Sequence, residues 1–306
     1  IIIYLMSLSR VNAANITGAN TINSDSTTQQ VYNADDTSLT ITNSSTLSRT
    51  GQAPVNINGQ DNGTVIIEAG STVETTGGKS NPINGNAASG LTITNSGTIK
   101  SASSKAINLT DATTGTLTNN SGGVIQAKTN TISMFGADTD GVTIHNNGTI
   151  FATDDDDEQT NTIKSHDNST NITINNNSGG HIYHTSSGAV ILMGGGATLN
   201  NSGKIENKDG TTVNSIHMSG STGATLNLKD RGIVVGKIKI TGSGHTIKVN
   251  HGMGQSYYYD TEGAGTYDLE DLDGNIIVKG SAGSVGQGGN EILDELLGQK
   301  SINLRK

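Results

Sequence analysis

The chain has 306 residues, a formal net charge of −9, 31 % hydrophobic residues, no cysteine and no tryptophan. Lack of cysteine removes disulfides and thiolate chemistry, and the acidic balance argues against a nucleic-acid partner or anionic lipid, both of which need a clustered basic face. So low an apolar content would imply disorder in an aperiodic chain, which makes periodicity the deciding question.

The chain opens IIIYLMSLSRVNAAN. Residues 1–6 are too few to span a bilayer, and Val11-Asn12-Ala13 supplies the small-x-small pattern of a signal-peptidase site. Residues 1–13 are therefore expected to be the remnant of a secretory signal, cut near Ala13 or Ala14. The competing reading is a short buried strand ahead of the first coil.

From residue 14 to 231 one phrase returns about every 26 residues: LTITNSGTIK at 91–100, GTLTNNSGGVI at 115–125, VTIHNNGTI at 142–150, ITINNNSGGHI at 172–182 and TLNNSGKI at 198–205. Anchored on the apolar residue before the polar turn, the copies fall at Ile16, Ile41, Ile67, Ile93, Leu117, Ile144, Ile174, Leu199 and Leu226. A second apolar position follows at Ile22, Leu47, Val73, Ile99, Ile125, Ile150, Ile182 and Ile205, and then a third pair such as Ile107/Leu109 or Ile216/Met218. Alternation over a few residues predicts half-buried strands, and no long run has the 3.6-residue period of a helical repeat. Three short strands and three turns make one coil of a parallel β-helix. The expected fold is all-β: a right-handed three-stranded parallel β-helix of about nine coils, roughly 43 Å long at the inter-strand spacing. Only two prolines interrupt the chain, as ladders of backbone hydrogen bonds require.

The turns carry a second periodicity. Asn43, Asn95, Asn119, Asn146, Asn176 and Asn201 lie two residues after their anchors, interrupted by Ala69. Stacked about 4.8 Å apart, their amides are expected to form a structural ladder. Gly97, Gly148 and Gly203 are expected at positive φ in the same corners.

Three features invite a chemical reading. The run Asp154, Asp155, Asp156, Asp157, Glu158 lies in the longest coil and is a weak candidate calcium loop, although it lacks the Asp/Asn/Gly alternation of a dedicated site. A solvated surface loop is the alternative. His181 and His184 are three apart on a strand and so face opposite ways. Asp111, Asp138, Asp140 and Asp167 all follow third strands, where carboxylates from neighbouring coils could converge for hydrolysis. No catalytic motif and no cofactor site emerges.

Past Leu228 the phrase lapses. Gly232–Ile240, His245–Val249, Tyr257–Asp260, Thr266–Leu269 and Ile276–Val278 read as strands that leave the period, a capping segment over 232–280. Residues 281–306 read as a Gly-rich joint and a short linker helix at Glu291–Leu297, with Ile292, Leu293, Leu296 and Leu297 on one face.

Signal remnant, NSGTI-type β-helical repeats, absence of cysteine, a divergent cap and a linker helix together resemble an autotransporter passenger domain of Gram-negative bacteria. The resemblance covers residues 14–300 by architecture, not by a catalytic motif. It implies an autochaperone-like role for 232–280, a location secreted or at the cell surface, and attachment to the outer membrane through a C-terminal barrel not contained in these residues. It further implies adhesion or self-association, with the partner being another copy of the chain or host or cell-surface glycans and proteins. A β-helical polysaccharide-active enzyme and a purely structural fibre or spacer subunit are the alternatives.

Overall fold

A computed structural model describes residues 13–57, 59–153, 160–229, 232–249 and 266–273, together with the backbone of 258–261. The described residues wind through three sheets in about nine turns, and they contribute eleven strands to each of the first two sheets and eight to the third. Among the described residues pairing is parallel throughout, each strand inside a sheet bonding its counterpart one coil before and one coil after and each terminal strand bonding on one side. Such pairing is the parallel β-solenoid expected from the repeat.

Each sheet sends an aliphatic column into the interior. On the first sheet Val55, Ile83, Ile107, Ile132, Ile163, Ile191, Ile216 and Ile238 stand in register, all at most 1 % exposed. Leu47, Val73, Ile99, Ile125, Ile150, Ile182 and Ile205 do the same on the third. Full burial of each such side chain is worth about 1.5–3 kcal/mol, so a narrow core of one or two inward residues per strand stabilises a chain of low overall hydrophobicity.

On the second sheet the column is Leu39, Val65, Ile93, Leu117, Ile144, Ile174, Leu199, Leu226, Ile247 and Leu269. This corrects the expected anchors in the first coils. Ile41 and Ile67 are buried, but they align with Asn95, two residues along from the anchor column. Ile22 pairs with Ile41 on the second sheet, and Ile16 belongs to the first sheet, so neither holds its expected place. A slip of two residues leaves every side chain on its own face, so alternation alone does not reveal it.

The phrase lapses after Leu228, but the ladders do not. Ile233–Val235 continues the third sheet, Lys237–Ile240 the first and His245–Val249 the second, in parallel register with the coil before. The coils here are shorter: Leu226, Ile247 and Leu269 are 21 and 22 residues apart. Residues 1–12 of the expected signal remnant, 274–280 and the joint and helix of 281–306 lie outside the described residues.

Candidate functional site: polar ladders and outward faces

The inner asparagine ladder closes the core where the second sheet turns toward the third. Asn95, Asn119, Asn146, Asn176 and Asn201 are each 0 % exposed and stand last in their strands. Nδ2 of each donates to Oδ1 of the next, at 2.8 Å (Asn95 to Asn119), 2.9 Å (Asn119 to Asn146), 2.9 Å (Asn146 to Asn176) and 2.8 Å (Asn176 to Asn201). The last amide donates to Ile233 O at 3.3 Å. Asn43 is not a rung: it lies in an exposed turn at φ +55°, because Ile41 occupies the ladder position of its coil. The ladder is bounded by aliphatic residues on both sides, Ile67 before Asn95 and Leu228 after Asn201.

The glycines of these corners have a different task from the one expected. Gly97, Gly148 and Gly203 do not adopt positive φ; a Cβ on them would strike the carbonyl oxygens of Ser71, Gly123 and Gly180 of the preceding coil. Glycine is needed there for close approach of stacked backbones. Positive φ belongs to the longer corners, at Gly70 (+82°), Gly122 (+83°) and Gly179 (+88°). Four residues separate ladder from next inward position in Asn95–Ile99, and six in Asn119–Ile125, yet both bring the chain back into register.

The second sheet also presents an ordered outward face. Thr64, Thr92, Thr116, Thr143, Thr173, Thr198, Thr225 and Thr246 align in eight successive strands. Beside them runs an outer amide column: Asn227 donates to Asn200 at 2.8 Å, and Asn200 to Asn175 at 2.8 Å. Asn175 meets Nδ1 of His145 at 3.3 Å. These outer donors point toward earlier coils, opposite in sense to the inner ladder. Both columns were legible in the recurring TxN triplet, which the turn motif overshadowed. A shorter amide column joins Asn56, Asn84 and Asn108 on the first sheet.

On the third sheet Phe151 stacks on Tyr183 in the next coil, with centroids 4.7 Å apart and planes within 9°. Lys208 Nζ lies 3.6 Å from the Tyr183 centroid. Nearby, Glu206 receives Lys204 at 2.8 Å and His181 at 3.0 Å. Partial burial would raise the Glu206 carboxyl, but Lys204 and then His181 outweigh it and hold it below its ordinary value. Burial, only partly offset by Glu206, holds His181 below its ordinary range.

His181 and His184 do face opposite ways: His184 is 0 % exposed, with Nδ1 accepting from Ser186 N at 3.0 Å. The candidate calcium loop, Asp154 to Glu158, lies outside the described residues, and among the described residues no group of three His, Cys, Asp or Glu side chains could hold a metal. The four aspartates expected after third strands do sit there, three of them as corner acceptors and Asp138 through its backbone N–H. Asp111 Oδ1 accepts from Asp138 N at 3.4 Å, Asp140 from Thr170 and Asn171 at 2.5 and 2.8 Å, and Asp167 from Ser219 at 2.7 Å. Each joins its corner to another coil. Comparison with protein-family models, with curated proteins and with solved structures returned no match to this chain.

Proposed function

We propose that the chain is an autotransporter-like passenger, exported to the bacterial surface, whose β-helix acts in adhesion by associating with further copies of itself. On this reading it carries out no catalytic step. The observation that supports it is the threonine column of the second sheet. Eight hydroxyls recur at the strand spacing of about 4.8 Å, flanked by amides already locked in place by their neighbours. A second copy carries the same repeat, so each hydrogen bond formed between two faces is followed by others in register. Individually weak contacts then add through multivalency. Export is supported by the residues around Val11-Asn12-Ala13 and the repeat phrase described above.

The test is clumping of cells expressing the protein, together with sedimentation of the purified chain. Lysine at Thr143, Thr173 and Thr198 places three like charges along the face without touching the core. Loss of clumping and of the associated species, with an unchanged β-sheet dichroism spectrum, is expected. Undiminished clumping by this variant, or a wild-type chain that stays monomeric on cells and in solution, would overturn the reading.

A further inference from the structure

Four asparagines of this chain are followed by glycine: Asn58, Asn62, Asn84 and Asn147. Such a pair can modify itself, because glycine leaves its backbone nitrogen unshielded by a Cβ and able to approach the asparagine side chain. Asparagine counts among the thermolabile residues for this kind of reason. Whether a folded chain permits the reaction depends on the hydrogen bonds that hold the two reacting groups. Asn58 lies outside the described residues, and the other three differ in those bonds.

Asn84 and Asn147 are locked into amide columns. Asn84 Nδ2 donates to Asn56 Oδ1 at 2.9 Å, and its Oδ1 accepts from Asn108 Nδ2 at 3.0 Å. The peptide that follows is bonded as well: Asn84 O accepts from Ile57 N at 2.8 Å, and Gly85 N donates to Asn108 O at 2.9 Å. Asn147 Oδ1 accepts from Asn177 Nδ2 at 3.0 Å, while Gly148 N donates to Asn146 Oδ1 at 3.3 Å. In both pairs the attacking nitrogen and the target amide are each tied to another group.

Asn62 differs. It is exposed at φ +53° in the corner before the second-sheet strand Thr64–Ile67. Its backbone is anchored on both sides. Asn62 N donates to Ser89 O at 2.7 Å, Gly63 O accepts from Thr92 N at 2.8 Å, and Thr64 N donates to Thr37 O at 2.9 Å. Between these anchors the peptide unit of Asn62 O and Gly63 N makes no hydrogen bond among the described residues, and neither does the Asn62 side-chain amide. The unit can therefore turn between its fixed ends without losing a bond. A Cβ at Gly90 would strike Asn62 Oδ1, so the neighbouring coil leaves that side chain room.

We propose that Asn62-Gly63 is a site of spontaneous deamidation. Gly63 N attacks Asn62 Cγ and gives up its proton to water; the bond from Cγ to Nδ2 breaks and ammonia leaves. Water then opens the resulting succinimide at either carbonyl, giving aspartate or isoaspartate. A carboxylate at 62 joins Asp35, Asp36 and Asp61, which the same corner already links through Asp61 N to Asp35 Oδ1 at 2.8 Å and Asp36 N to Asp61 O at 2.9 Å. Isoaspartate also adds a methylene to the backbone just before Thr64, whose O accepts from Tyr32 Oη at 2.6 Å. Both changes loosen the first coils, whether or not the chain associates with itself.

The full 306-residue chain, kept folded in mildly alkaline buffer and sampled over weeks by peptide mass mapping with enzymatic isoaspartate labelling, tests this. Asn62 is expected to convert at least about tenfold faster than Asn84 or Asn147, because neither hydrogen-bonded pair reacts without first opening. In concentrated urea the three are expected to approach one rate, and the aged chain should unfold at lower urea than the fresh one. Gly63→Ala shields the nitrogen and should slow conversion of Asn62 about tenfold. Its Cβ would lie 3.2 Å from the Tyr32 ring; should the variant lose its β-sheet spectrum, Asn62→Gln replaces it, and conversion at this position should disappear. Equal rates at Asn62 and either other site in the folded chain, an Asn62 that stays intact there while the urea sample reacts, or an unaltered rate in folded Gly63→Ala would overturn the assignment.

Discussion

Asn95 donates to Asn119 at 2.8 Å, yet its own Oδ1, buried and without a donor, is left on the side of the coil that supplies Ile67. The inner ladder is thus directional, each rung giving a hydrogen to the later coil and accepting from the earlier one. Its first acceptor is orphaned because the repeat switches from isoleucine to asparagine between those two coils. An unsatisfied buried acceptor costs about 1–3 kcal/mol, so the direction of the ladder concentrates that cost at one end.

Substitutions along the ladder should therefore be unequal. Asn146→Leu deprives Asn176 of its donor and Asn119 of its acceptor, and thermal or urea unfolding should show a loss of about 2–4 kcal/mol. Asn95→Leu removes one orphan and creates another at Asn119, so a change within about 1 kcal/mol is expected. Equal losses in the two variants would mean that the rungs are not coupled in this way.

The register of the first coils can be tested by extending the ladder backwards. Ile67→Asn places an amide beside the orphaned Oδ1 of Asn95 and should be tolerated, with a loss below about 2 kcal/mol in urea unfolding. Ile93→Asp, one position into the aliphatic column where exposure is 1 %, buries an unpaired charge and should cost several kcal/mol. The reverse order would restore Ile67 to the anchor column that the repeat phrase suggests.

How much of this was legible in the sequence follows from what alternation can and cannot encode. Inward positions such as Leu117, Ile150 and Ile182 were readable because a period of two separates faces cleanly. Asn43 was misplaced because ITNSS at 41–45 mimics ITNSG at 93–97 while sitting two residues out of register, a slip that changes no face. The roles of Gly97 and Gly148 were hidden for another reason: composition marks a corner, whereas only the stacked coil shows that a carbonyl occupies the space of a Cβ. The column that aligns Lys164, Leu192, His217 and Lys239 on the first sheet joins residues 75 apart and leaves no trace in any local motif.

Two glycines one corner apart separate crowding from backbone strain. Gly148→Ala forces a Cβ against the carbonyls of Gly123 and Asn120, where stacked backbones cannot give way. A loss of more than about 3 kcal/mol is expected, as for other overpacked sites. At Gly122 the φ is +83° and nothing lies within 4 Å of a new Cβ, so Gly122→Ala should cost only about 1–2 kcal/mol of left-handed strain. Melting temperatures of the two variants, measured side by side, decide the matter; a milder effect at Gly148 would mean that stacked backbones leave room for a Cβ at this corner.

Acidification supplies the last test, and both shifted groups on the third sheet act in the same direction. His181 is held below its ordinary 6.5, so the folded state favours its neutral form; stability is complete above that value and declines as pH falls through the lower folded value. Glu206 is held below its ordinary 4.5, chiefly by Lys204 at 2.8 Å, so its contribution is present above that value and is lost on further acidification. Urea midpoints should therefore fall in two stages, first below about pH 6.5 and again below about 4.5. His181→Gln removes the titrating ring, and should flatten the first stage while leaving the second. If the variant and the parent lose stability in parallel between pH 7 and 5, the first stage arises elsewhere, and burial of the His181 ring against Tyr183, at 4.7 Å between centroids, is not what resists protonation.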